Sequence, residues 1–180
     1  MDEFANFEAQ FENTVNKAVG STEKRDPNQF KPGVTDKNPE YTAVLRFVPP
    51  AEGPMFVKKV VHFMKIGKDT VRVICPKTHG DKNRCDICSD NIQGHKSKEP
   101  LLVKRATDHG NKIRWVANVL VVDDKRFPDN NGKVMWWEFP DQIMTMINEL
   151  NNPPTNDIPA INAFHPTKGV NLFFSMKLIK

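Results

Sequence analysis

The stretch MFVKKVVHFMKIGKDTVRVIC (55–75) decides the fold. Two runs rich in Val, Ile and Phe flank a short Gly67-Lys68-Asp69 turn signal, which is the pattern of a β-hairpin. With Lys68-Asp69 as the two-residue loop, His62 and Cys75 stand directly opposite each other. Their Cβ atoms would then lie ~4.5–5.5 Å apart on one face. A slip of one residue would send them to opposite faces, so the register carries chemical meaning.

Strand-like runs continue on both sides of this hairpin. YTAVLRFV (41–48) ends at Pro49-Pro50, and LLVKRAT (101–107) and NKIRWVANVLVV (111–122) flank Asp108-His109-Gly110. KVMWWEF (133–139) follows the turn signal Asp129-Asn130-Asn131-Gly132, and VNLFFSMKLI (170–179) is the last strand. One helix is predicted after Pro140, with Ile143, Met146, Ile147 and Leu150 on one face and Asn151-Asn152-Pro153-Pro154 as its stop. Short strands, tight turns and few helices predict a mainly β chain folded as a small antiparallel barrel or sandwich.

All three cysteines of the 180 residues fall within CPKTHGDKNRCDIC (75–88). Cys85-x-x-Cys88 is a chelating pair, because two intervening residues let both sulfurs reach one ion in a tight turn. Cys75 supplies a third donor from the end of the hairpin, and a tetrahedral zinc needs a fourth. His62 and His79 compete for that place. The hairpin register favours His62, which a strand positions, over His79 in the loop. Three unrelated buried thiols would seldom gather so closely with a CxxC among them, so zinc is the expected occupant. Four protein donors leave no open position, which makes the expected role structural. A zinc deaminase would need H-x-E upstream of P-C-x-x-C, and the chain has neither.

No apolar run approaches the ~20 residues of a membrane span, and the mean hydropathy is −0.55. MDEFANFEAQ lacks a basic-then-apolar leader, so a cytoplasmic setting without membrane partners is expected. Residues 1–24 carry five acids and two bases, a balance of −3, which leaves +7 for the rest against a total of +4. In that segment Phe4, Phe7, Phe11, Val15 and Ala18 draw an apolar stripe, predicting an amphipathic helical extension. Residues 25–40, rich in Pro, Gly and charge, read as a linker. Residues 41–180 then form the body, with the metal subdomain at about 62–95.

Lys104, Arg105, Lys112, Arg114 and Trp115 gather on two strand-like segments joined by a turn. Trp136-Trp137 follow on the next strand, one necessarily facing in and the other out. Cations that track phosphates and rings that stack on unpaired bases are what sequence-independent binding of a single strand needs. Arg46, with Lys58 and Lys65, adds further cations on the neighbouring strands. No carboxylates cluster on strands as a two-metal nuclease would require, so no enzyme is expected. The rival expectation is a zinc-stabilised protein-interaction module whose basic face is merely solvated.

His62, Cys75, Cys85 and Cys88, spaced thirteen, ten and three apart, resemble the zinc site of the helix-destabilising, single-stranded-DNA-binding proteins of T-even-type phages. AVLRF (43–47), THGD (78–81), LVKR (102–105), ANVLVV (117–122) and GKV (132–134) fall in the same order, over roughly residues 40–150. The resemblance implies an OB-fold core, a five-stranded antiparallel barrel, with a zinc-bearing subdomain. It implies His62 as the fourth ligand and His79 as a non-ligand. It also implies cooperative, non-specific binding of single-stranded DNA in replication, recombination and repair, within an infected bacterial host. Self-association along DNA and contact with replication proteins come with it. Arg46, Lys104, Arg105 and Trp137 fall on positions implied to line the DNA groove, with Trp115 beside them. The family's groove is tyrosine-rich, whereas this chain has one tyrosine, Tyr41. Stacking is therefore expected to rest on Trp115, one of Trp136 and Trp137, and Phe139. The family's basic N-terminal arm is replaced here by the acidic Phe stripe, expected to dock on its own barrel or on the next protomer.

Overall fold

The computed structural model describes residues 26–66, 69–80, 82–155, 157–165 and 168–179. The expected N-terminal amphipathic extension lies outside them. Along Glu40–Val48 every second side chain is buried, and this period of two presents one face to a core and the other outward. The same alternation runs through Val134–Pro140 and the middle of Asn111–Asp124. Among the described residues the strands are β1 (Gln29–Phe30), β2 (Glu40–Val48), β3 (Val57–Ile66), β4 (Asp69–Ile74), β5 (Asn111–Asp124), β6 (Val134–Pro140) and β7 (Leu172–Lys177). The α-helices are α1 (Asp86–Lys96), α2 (Pro100–Asp108) and α3 (Asp141–Asn151).

The main path of the sheet runs β1-β6-β5-β2-β7, and β3 pairs with both β5 and β4. β2 pairs antiparallel with β5 and β7, β5 pairs antiparallel with β6, and β1 adds to β6 in parallel. β1 and β7 end the path, so among the described residues the sheet is not closed into a ring. Val44 opposes Asp123 while Leu45 opposes Val121, which leaves Val122 as the extra residue of a bulge. Such a bulge strengthens the local twist of the strand that carries it.

The chain divides into two compact units. The sheet unit comprises 28–61, 74–84 and 111–180. Its core gathers Leu45, Phe47, Val119, Val121, Trp137 and Phe139 with Met144 and Ile147 of α3. Phe30 is 1% exposed and lies in this core, so residues 28–30 of the expected linker are part of the sheet unit. Asp124, buried beside the core, accepts hydrogen bonds from the Tyr41 hydroxyl at 2.7 Å and from the backbone N–H groups of Arg126 and Phe127. A buried carboxylate is tolerable only when so fully partnered. The expected helix is present as α3, and Ile143 and Ile147 of its expected apolar face pack against the core together with Met144, while Met146 is 64% exposed and Leu150 38%.

Among the described residues the helical unit comprises His62–Val73 and Cys85–Gly110. Here the strand expected at LLVKRAT is instead helix α2. Pro100 fits the first helical turn, where its missing N–H costs nothing, and Lys104 pairs with Asp108 at 2.8 Å in i,i+4 spacing. That ammonium holds the Asp108 carboxyl below its ordinary range. α1 and α2 approach so closely at Gly94 that an added Cβ would lie 2.9 Å from Ala106 Cβ and 2.9 Å from the Leu102 carbonyl oxygen. Only glycine fits that crossing without moving backbone. Among the described residues no helix is long and apolar enough to cross a membrane.

Candidate metal centre and nucleic-acid interface

The Cys75 amide donates to the Val60 carbonyl at 2.8 Å, so Cys75 opposes Val60. The hairpin register is thus two residues away from the expected one, with β4 beginning at Asp69. Side chains alternate with a period of two, so a two-residue shift keeps each one on its expected side. Thr78, from the THGD motif, fixes this corner. Its hydroxyl accepts from the Val60 N–H and donates to the Val60 carbonyl, both at 2.9 Å.

Cys85 occupies the N-cap position of α1 and Cys88 its first turn. The Sγ atoms of Cys85 and Cys88 lie 3.4 and 3.5 Å from His62 Nε2. His62 Nδ1 meets the His109 carbonyl oxygen at 2.9 Å. That contact makes Nδ1 the donor and leaves Nε2 as a lone-pair ligand. Asn91 Nδ2 donates to the same carbonyl at 2.8 Å.

One donor atom from each of His62, Cys75, Cys85 and Cys88 lies within 4.8 Å of the others, and all four residues are buried. The cysteines form no disulfide. With zinc bonds of ~2.3 Å to sulfur and ~2.0–2.1 Å to nitrogen, tetrahedral geometry places N and S about 3.6 Å apart. The observed distances match, and thiolate with imidazole is a donor set that suits zinc. His79 is exposed and outside the cluster. Four protein donors fill a tetrahedron, so such an ion would brace the fold.

The expected nucleic-acid residues separate into groups. In the sheet unit, Arg46 opposes Leu120, and Asn118 opposes Trp136 on the other side of β5. Arg114 opposes Pro140 on that same outward-facing set of positions. Arg46, Arg114 and Trp136 therefore share the face turned away from the core, and all three are partly exposed. Lys59 approaches Glu138 of this face at 4.0 Å, and Lys58 is exposed on β3.

Three expected stacking residues face the other way. Trp137 is 4% exposed, packed edge-on to Phe30 and Phe174, and Phe139 is 0% exposed, so neither indole nor phenyl can meet a base. Trp115 packs against the same core, and its Nε1 donates to Asp141 at the start of α3 at 2.7 Å. The groove position that the resemblance implied for Trp137 thus gives way to a core role. Of the neighbouring tryptophans, Trp136 is the outward one. In the helical unit, Lys65, Lys104 and Arg105 are exposed, with Arg105 beside Lys96 and Ser97 in an open hollow between α1 and α2.

One outward ring went unread in the sequence. Phe173 of β7 opposes Val44 and is 72% exposed. The alternation of LFFSMK carried the signal, since Phe174 turns inward and its neighbour must turn out.

Compared with known proteins, residues 40–179 match the family described as gp32 DNA binding protein like. The chain is 37% identical over 115 residues to the Single-stranded DNA-binding protein of Enterobacteria phage T4, and equally to that of Enterobacteria phage T2. Each match covers 60% of this chain and 36% of the relative, so the chain spans about a third of the length of those relatives. The family match extends from the start of β2 through β7 and includes all four donor residues. This chain belongs to the gp32 DNA binding protein-like family.

Proposed function

We propose that this chain binds single-stranded DNA without sequence preference across the outward face of its sheet. A single zinc in the Cys75, Cys85, Cys88 and His62 site would keep the helical unit folded. The supporting observation is the gathering of Arg46, Arg114 and Trp136 on one sheet face in a chain of this family. Guanidinium groups neutralise phosphates at low desolvation cost, and an outward, partly exposed indole can stack on any base because every base has a π-face. Lys58, exposed on β3, supplies further positive charge within the sheet unit. Zinc contributes a crosslink between segments distant in sequence, and the protein atoms do the binding.

The family consists of DNA-binding proteins and not enzymes. An OB-type barrel, cooperative filling of long strands, service in replication, recombination and repair, and action inside an infected bacterium extend the same reading. Titration with oligo(dT), followed by tryptophan emission, tests it. Stacking on Trp136 is expected to quench part of the emission, and Trp136→Phe to remove that quench while binding persists. Absence of quenching together with absence of binding by anisotropy would instead favour a protein-interaction module.

A further inference from the structure

We infer that Phe173 on β7 is a base-stacking residue that extends the nucleic-acid face to the edge of the sheet. The inference rests on the single-stranded DNA reading above and deepens it. An exposed phenyl ring is 72% open to water here, on a strand whose inward residues Leu172, Phe174 and Met176 pack against the core. The fold does not need the outward ring, because the inward set already anchors β7.

Its surroundings indicate what the ring meets. Phe173 opposes Val44, so Arg46 is its diagonal neighbour, ~7–8 Å away. Arg46 Nε donates to Asn171 Oδ1 at 2.9 Å, which tethers the guanidinium to the segment entering β7. A cation one diagonal step from an open ring can hold a phosphate while the ring takes a base of the same strand. The face then continues through Arg46 and Asn118 toward Trp136, three strands away. Three strand spacings make about 14 Å across the sheet, and Phe173 lies level with Val44 while Trp136 lies level with Val48, about 13 Å further along the strands, so the two rings stand roughly 19 Å apart. A single strand of several nucleotides spans that interval, within the ~4–16 nucleotides typical of such domains.

A second copy of the chain is the other conceivable occupant. Joining two such faces would set Arg46 and Arg114 of one copy against those of the next, and like charges oppose that contact. Single-stranded DNA brings the opposite charge and flat rings at once.

The test compares wild type, Phe173→Ala and Phe173→Trp with oligo(dT) by anisotropy at fixed salt, alongside thermal melts and sedimentation without DNA. Phe173→Ala is expected to weaken binding about 5- to 150-fold with an unchanged melt. Phe173→Trp is expected to retain affinity and to add a quench absent from wild type. If wild type binds and Phe173→Ala binds equally well, the inference falls while the broader reading stands. If wild type does not bind, both fall. If Phe173→Ala instead abolishes self-association and leaves short-oligonucleotide affinity intact, the ring serves a protein contact and the inference is overturned.

Discussion

Trp137 lies edge-on to Phe30 with ring centroids 5.7 Å apart and against Phe174 at 5.1 Å. Its neighbour Trp136 points to the other side of β6, because strand geometry allows adjacent residues nothing else. Adjacency on a strand requires that one of the pair faces inward but does not say which, since two identical indoles carry no mark of side. The deciding information is tertiary: Ala117 opposes Trp137 and is buried, whereas Asn118 opposes Trp136. Truncating the two should therefore give opposite signatures. Trp137→Ala removes a packed ring and leaves a cavity, with an expected cost of ~3–5 kcal/mol. Trp136→Ala should cost no more than about 1 kcal/mol of stability but weaken oligo(dT) binding by ~1–3 kcal/mol. Urea unfolding and anisotropy on both variants check the pair. A Trp136→Ala protein that unfolds as readily as Trp137→Ala would refute the division of labour.

Among the elements, the strands were legible and the helices of the metal-bearing region were not. β2, β5 and β6 announce themselves by alternation, and the Cys-x-x-Cys spacing with His62 announced the donor set. LLVKRAT misled because three consecutive apolar residues satisfy a strand period as well as a helical one. The weaker signals, Pro100 at a first turn and the i,i+4 spacing of Lys104 and Asp108, were the true ones. α1 hides better still: DICSDNIQGHK has few apolar residues, and Gly94 lowers its helical propensity by ~1 kcal/mol. Its helix is held from outside, by the cysteines at its first turn and by the Gly94–Ala106 crossing. Removing the metal should therefore melt α1 before the sheet. A strong chelator is expected to lower helical ellipticity, with zinc restoring it, and Cys85→Ala should show the same loss without rescue. Trp115, Trp136 and Trp137 all lie in the sheet unit, so their emission reports that unit separately. Helical ellipticity unchanged after full metal removal would show that the ion does not hold α1.

At the scale of the whole molecule, a net charge of +4 is too small to explain selective binding of a polyanion. Placement matters more than the total. Arg46 and Arg114 stand on one outward sheet face, and the negative charge of Glu138 on that face is partly neutralised by Lys59. A solvated basic surface and a DNA-binding one differ in what happens to counterions. Each phosphate neutralised on a single strand releases condensed cations, and the logarithm of affinity should fall against the logarithm of salt by ~0.7 per contact. Arg46→Ala should lower that slope by ~0.7 and weaken binding to oligo(dT) and oligo(dA) alike, because a phosphate contact carries no sequence information. Phe173→Ala, by contrast, should lower affinity and leave the slope where it was, since a ring displaces no counterion. Binding isotherms from ~50 to 200 mM salt for the three proteins separate charge from stacking on the same surface. A slope near zero for wild type would mean that the outward guanidinium groups are not in contact with phosphate, and the face would lose its role whatever the rings do.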